Sequence, residues 1–287
     1  MTIYHSVGTF IGVGGLDLHY QSWNNPGGKA KAVLALVHGL GGHSRLYQNI
    51  IEYLLPKQYA VYSLDLHSHG YSPAQSGYIN SWAEFRDDVR AFLKMLHKQQ
   101  PGYPIFLFGH SMGGMIVLEY VLCYPKDTSR LQGVIAFAPS IGEVGVSPMR
   151  VLLGKMLSRV WPRFSLNTGL DTTAGSRDPN ILSTYTQDSL RHTPATARFS
   201  TEFFATLAWI QAHTHEWKAP LLILHSDADR VALPGGSEIF YPHVTYPDKL
   251  SIEYPGACHD LHCDINHCQV LTDLSNWMDQ HLLAEAG

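Results

Sequence analysis

The chain is poor in charge. Aspartate, glutamate, lysine and arginine make up 15% of its 287 residues, and 24 acidic against 20 basic side chains leave a formal net charge of -4. With no basic excess there is no electrostatic footprint for a polyanion, so nucleic acid is not expected as a partner. Cysteine is scarce as well. Four residues, at 123, 258, 263 and 268, make no disulfide scaffold in a chain of this length, and Cys123 falls in an apolar helical stretch. Reduced thiols are expected. Long hydrophobic runs are missing: no segment approaches the roughly 20 apolar residues that span a bilayer. The stretch Met1 to Phe10 has neither a positive start nor a continuous apolar run. These absences point to a cytoplasmic protein. Internal repeats and low-complexity tracts are lacking too.

What is present is enough apolar residue, 45%, to bury a sizeable core. An opening hairpin is read around Gly14-Gly15, within Thr9 to Tyr20, and Ala32 to Val37 is a short β-branched run. Buried-strand candidates follow at Tyr59 to Leu64, Ile105 to Phe108, Leu131 to Phe137, Leu221 to Leu224 and Leu250 to Tyr254. Helical stripes fall between them. One runs through Trp82, Phe85, Val89, Phe92, Leu93 and Leu96, opened by a capping box of Ser81 with Glu84; another runs through Val270, Leu271, Leu274, Trp277, Met278 and Leu282. This alternation predicts an α/β fold with a mostly parallel sheet covered on both faces. It fails between about Ile141 and His215, where polar loops surround two helical stretches. The expected organisation is a core of residues 1–140 and 216–287 with an inserted cap at 141–215. The first cap helix, after Ser147-Pro148, carries Met149, Leu152, Leu153, Met156, Leu157 and Val160 on one face, with Arg150, Lys155 and Arg159 off it. The second runs through Phe203, Phe204, Leu207 and Ile210.

Chemistry enters at Gly109-His110-Ser111-Met112-Gly113, which lies between the apolar runs Ile105 to Phe108 and Met115 to Leu118. A Gly-x-Ser-x-Gly between strand and helix is the context of a nucleophile elbow, in which the serine backbone is strained and a neighbouring Cβ would clash. A serine hydroxyl needs a base, and the base needs a carboxylate to orient it. In folds built on such an elbow, acid and then histidine follow in chain order. Two loops after predicted strands qualify. His225 to Val231 offers Asp227 and Asp229, and Pro255 to His262 offers His259 and His262.

These residues, with Val37-His38-Gly39-Leu40-Gly41-Gly42-His43-Ser44, resemble the monoacylglycerol lipase and lysophospholipase group of α/β-hydrolases, and the resemblance covers nearly the whole chain. It implies the α/β-hydrolase fold with a mostly parallel eight-stranded sheet and a helical cap. It also implies a catalytic Ser111, Asp229 and His259, backbone oxyanion donors at Leu40 and Met112, and neither cofactor nor metal. Two positions depart from the family pattern. Cys258 stands where an aromatic is usual, a packing position, and Asp65 to Ser72 lacks the usual Arg-Gly before His-Gly; this second loop is expected to brace the elbow through buried hydrogen bonds.

The expected activity is that of a serine carboxylic-ester hydrolase acting on a lipid-like ester, monoacylglycerol or lysophospholipid. A short-chain carboxylesterase or thioesterase, and a low-turnover ligand receptor of the same fold, stay open as alternatives. The first cap helix reads either as packed on the core or as an apolar wall for an acyl chain with its basic residues toward anionic lipid, a peripheral membrane contact. The pairs Cys258-His259, His262-Cys263 and His267-Cys268 have the residue types of a zinc site, but His259 cannot be both base and ligand.

Overall fold

Fully apolar runs become fully buried strands in the computed structural model, which describes residues 3–25, 29–142, 148–167 and 171–283. In chain order the strands are β1 (Tyr4–Ile11), β2 (Asp17–Asn24), β3 (Ala32–Val37), β4 (Tyr59–Leu64), β5 (Ile105–His110), β6 (Gly133–Phe137), β7 (Ser165–Asn167), β8 (Pro194–Thr196), β9 (Leu221–His225) and β10 (Lys249–Glu253). The helices are α1 (Gln48–Leu54), α2 (Ala83–Gln99), α3 (Met112–Cys123), α4 (Pro125–Thr128), α5 (Pro148–Val160), α6 (Pro179–Gln187), α7 (Ala197–His213), α8 (Gly235–His243) and α9 (His267–Leu283).

One eight-stranded sheet runs β1-β2-β4-β3-β5-β6-β9-β10, while β7 and β8 pair separately. The strands from β4 to β10 in this order are parallel, and β1 and β2 join antiparallel. Alternate residues face opposite sides, as the pleat requires. Val33, Ala35, Leu107, Val134 and Ile223 pack with α2 and α3 residues such as Phe92 and Ile116, whereas Leu34, Leu36, Phe106, Ile135 and Leu222 pack with Ile51 of α1 and Trp277 of α9. Each fully buried side chain of this size contributes about 1.5–3 kcal/mol.

Several local expectations change. Strand β10, read as buried, is an edge strand with largely exposed side chains. Trp82, not Ser81, precedes α2, and Glu84 reaches back to the Asn80 amide at 2.9 Å, so the capping box does not form. Between β6 and β9 the chain carries α5, β7, α6, β8 and α7; the sequence reading anticipated the first and last of these.

The expected inward apolar face of α5 points the other way. Leu152, Leu153, Met156 and Val160 are exposed, as is the following Trp161, while Ser158 is buried against α7 and accepts a hydrogen bond from Arg198 at its carbonyl. Ser147 and the side chains of Met149 and Arg150 lie outside the described residues. No described helix is long and apolar enough to cross a membrane.

Because β3 lies between β4 and β5, the connections leave it in opposite directions, making a crevice at the carboxyl ends of the parallel strands. The loops after β3, β5, β9 and β10 all open there. Segments 171–175 and 185–193 cover it, tied down by His43 to Asp188 at 2.7 Å and Arg177 to Asp264 at 2.8 Å.

Candidate active site

Strand β5 stops at His110, and α3 starts at Met112, leaving Ser111 alone to make the turn. Its backbone takes φ 57°, ψ -120°, a conformation costing a non-glycine residue on the order of 1–3 kcal/mol. The flanking glycines are forced by space: a Cβ at Gly109 would sit 2.2 Å from the Gly113 carbonyl oxygen, and one at Gly113 would sit 2.3 Å from that of Val37. The turn therefore holds Ser111 at the N-terminus of α3, where unpaired amides and the helix dipole favour negative charge. Met112 is the first residue of α3, and Leu40, in the turn after β3, lines the same cavity as Ser111.

The two loops anticipated downstream meet at this place. His259 Nδ1 donates to Asp229 Oδ2 at 2.6 Å, which fixes the tautomer and leaves Nε2 as the basic nitrogen. Asp229 is fully buried and saturated: Oδ1 accepts from the amides of Val231 and Ala232 at 2.8 and 2.9 Å, and Oδ2 also faces His225 Nε2 at 3.2 Å. Burial alone would raise its pKa, but the His259 imidazole and these hydrogen bonds hold it far below the carboxylate range. Burial likewise opposes a charged His259, and the Asp229 carboxylate overrides it, raising the imidazole above its ordinary 6.5. Ser111 and His259 both line the cavity, together with Leu40, Leu46 and Val231. The Ser111 hydroxyl is paired with that of Ser140 at 3.2 Å.

The alternative residues serve other ends. Asp227 is exposed and accepts from the Gly256 amide at 2.7 Å, bracing the two loops. His262 stacks on Tyr47 and donates from Nε2 to the Leu46 carbonyl at 3.2 Å. The Asp65 to Ser72 loop braces the turn after β3 rather than the elbow: Asp65 accepts from the Ser44 amide at 2.6 Å, and the Leu66 amide donates to His38 Nε2 at 3.0 Å. Burial keeps His38 neutral, with its pKa pushed down to about 4, so it can accept that bond.

The three Cys-His pairs diverge. Cys263 is buried beside the Tyr185 hydroxyl, Cys268 is exposed, and all four thiols are free. The residues missed in sequence are Ser140, opposite the Ser111 hydroxyl, and His225, which donates from Nε2 toward Asp229 and to the Ala232 carbonyl at 2.8 Å. His225 had a signal, since it stands four residues before Asp229 at the end of a buried strand.

A family model described as serine aminopeptidase, S33, matches residues 28–266. A monoacylglycerol lipase of Mycolicibacterium smegmatis is 29% identical over 276 residues, covering 96% of this chain and 97% of the relative. A monoglyceride lipase of Rattus norvegicus is 27% identical over 289 residues, covering 99% and 93%. Among solved structures, the monoacylglycerol lipase of Paleococcus ferrophilus superposes with a TM-score of 0.80 at 28% identity, covering 98% of this chain and 100% of that one.

Proposed function

The chain belongs to the serine aminopeptidase S33 family and is a serine ester hydrolase of the α/β-hydrolase fold, and from that premise we propose that it cleaves lipid esters through Ser111, His259 and Asp229. The observation that carries this reading is the His259–Asp229 pair at 2.6 Å opening into one cavity with a strained Ser111. His259 Nε2 takes the Ser111 proton as Oγ attacks the ester carbonyl. The Leu40 and Met112 amides receive the developing oxyanion. Collapse of the tetrahedral species breaks the ester C–O bond, and the imidazolium gives its proton to the leaving alcohol. Water, deprotonated by the same imidazole, then attacks the acyl-serine and frees the acid. Asp229 holds His259 in the productive tautomer throughout.

The substrate class is a monoacylglycerol or lysophospholipid. The named activities of the Mycolicibacterium and Rattus relatives support the monoacylglycerol. One observation favours a second reading, a short-chain esterase or thioesterase: the cavity at Ser111 is about 90 Å³, well below the roughly 300–1,000 Å³ of a pocket that encloses a drug-sized ligand. It seats the ester group, so a long acyl chain has to extend under the 141–215 segment, the cap of this reading. The test compares 1-monooleoylglycerol, lysophosphatidylcholine and p-nitrophenyl acetate. The expected result is fatty acid release from one of the lipids with kcat/KM at least about tenfold above that for the acetate, a difference of about 1.4 kcal/mol in transition-state binding. Turnover of the acetate alone selects the second reading, and hydrolysis of an aminoacyl anilide in preference to every ester overturns both.

The exposed α5 stripe extends the proposal to a peripheral membrane contact, with Leu152, Leu153, Met156, Val160 and Trp161 entering the headgroup boundary and the exposed Lys155 and Arg159 facing anionic lipid. Replacing Leu152, Met156 and Val160 together by serine is expected to weaken binding to phosphatidylserine vesicles at least about tenfold by sedimentation, since such a loss needs only about 1.4 kcal/mol from three side chains. Failure of the native chain to sediment with vesicles sinks the membrane contact.

A further inference from the structure

Three buried groups beside His259 have no part in the proposed chemistry. They are His110, Asp260 and His262, whose ligating atoms lie within 4.8 Å of one another. His110 and His262 are 5% and 1% exposed, yet His110 Nε2 and His262 Nδ1 have no hydrogen-bond partner. His19, His67 and His69 also keep a buried ring nitrogen without a hydrogen-bond partner; what sets His110 and His262 apart is that both line one cavity with the Asp260 carboxylate.

Both rings are anchored from behind. His262 donates from Nε2 to the Leu46 carbonyl, so its Nδ1 carries the lone pair, and His110 meets the Tyr47 hydroxyl through Nδ1 at 3.1 Å. Such an outer bond is what orients an imidazole ligand. His110 Nε2 stands 3.4 Å from Asp260 Oδ1. Two ligands about 2.0–2.1 Å from a tetrahedral zinc are separated by about that distance.

We propose that His110, Asp260 and His262 form an inhibitory zinc site next to the catalytic histidine. Two imidazoles and one carboxylate suit zinc over magnesium or calcium, which prefer all-oxygen shells. All three residues line the cavity that holds Ser111, so a fourth position faces the substrate space. The His110 and His259 rings are 4.9 Å apart between centroids. A dication there opposes the imidazolium that His259 must form, so zinc occupancy and turnover exclude each other. This inhibitory role rests on the His259 assignment; the binding itself does not.

The test uses the full chain, stripped with EDTA, desalted and titrated with zinc sulfate by calorimetry, with ester hydrolysis followed in parallel. One zinc per chain is expected, with hydrolysis falling as the site fills and recovering on adding EDTA. Asp260→Asn and His262→Gln, each near-isosteric, are expected to weaken zinc binding at least about tenfold, since losing even an outer partner of a metal ligand costs about 10–100-fold. The half-buried His267 and exposed Cys268, whose Nε2 and Sγ are 3.6 Å apart, are the competing surface site. Replacing that pair by Gln and Ser is expected to leave the calorimetry unchanged.

Absence of a stoichiometric zinc overturns the proposal, and so does binding that survives both cavity substitutions or departs with His267 and Cys268. Zinc bound at the cavity without loss of hydrolysis overturns the inhibitory role. Zinc binding in a native chain that hydrolyses no ester contradicts the catalytic reading and leaves the site standing.

Discussion

Replacing Ser111 with alanine is expected to lower kcat for p-nitrophenyl ester hydrolysis by about 10,000-fold or more. The substitution removes the one group that forms the acyl-enzyme. It leaves the Leu40 and Met112 amides and the cavity, which support only the residual rate of a bound ester meeting water. The backbone at Ser111 stays in the same strained turn, because the flanking glycines and the register of β5 against β3 and β6 set it, not the hydroxyl. Circular dichroism and melting temperature are therefore expected to change little. A variant that keeps turnover within tenfold of native would place the chemistry elsewhere.

Asp229→Asn is expected to cost about as much, on the order of 10,000-fold in kcat. An amide in that place presents an N–H toward His259 Nδ1, or else holds the ring without a charge, and in both cases the imidazolium loses its counterion. The pH profile separates this role from a structural one. Only the neutral imidazole acts as base, and Asp229 raises the His259 pKa above 6.5. Native activity is thus present at high pH and lost as pH falls through that raised value. The groups facing the ring are Asp229 and Asp260, which favour the charged form, and His110, His262 and Arg191, which oppose it. Removing the Asp229 charge tips that balance, so the midpoint of the acid limb of kcat/KM moves to lower pH in the variant. An unmoved midpoint would assign Asp229 to packing alone.

Continuous apolar runs were the most legible part of the sequence. Both β3 and β4 appear with the expected ends because a strand buried on both faces is nearly continuously apolar, Ser63 being the one polar residue in the two. The elbow was legible for a related reason: Gly109 and Gly113 have no room for a Cβ, so sterics write themselves into residue type.

Helix α5 was misread because periodicity identifies an apolar stripe without saying which side meets the protein. Here the small Ser158 packs inward on α7 while the large residues point out. Helix α6 was missed because it buries no residue fully, with only Ile181, Leu182 and Tyr185 half-buried, although Asp178 accepting from the Asn180 amide at 2.8 Å, followed by Pro179 at the first helical position, is a readable start signal. The choice between Asp227 and Asp229, and between His259 and His262, needed geometry. Two residues in a loop decide which carboxylate turns inward, and no pattern of residue types encodes that turn.

Peptide-level mass spectrometry after reaction with a fluorophosphonate bears most directly on the whole account. A phosphonate adduct on Ser111 alone, formed by the native chain and lost in His259→Ala, is the predicted result. It requires the nucleophile, the base and the oxyanion donors to act together. An adduct on another residue, or none on Ser111 in a chain that hydrolyses esters, would contradict it.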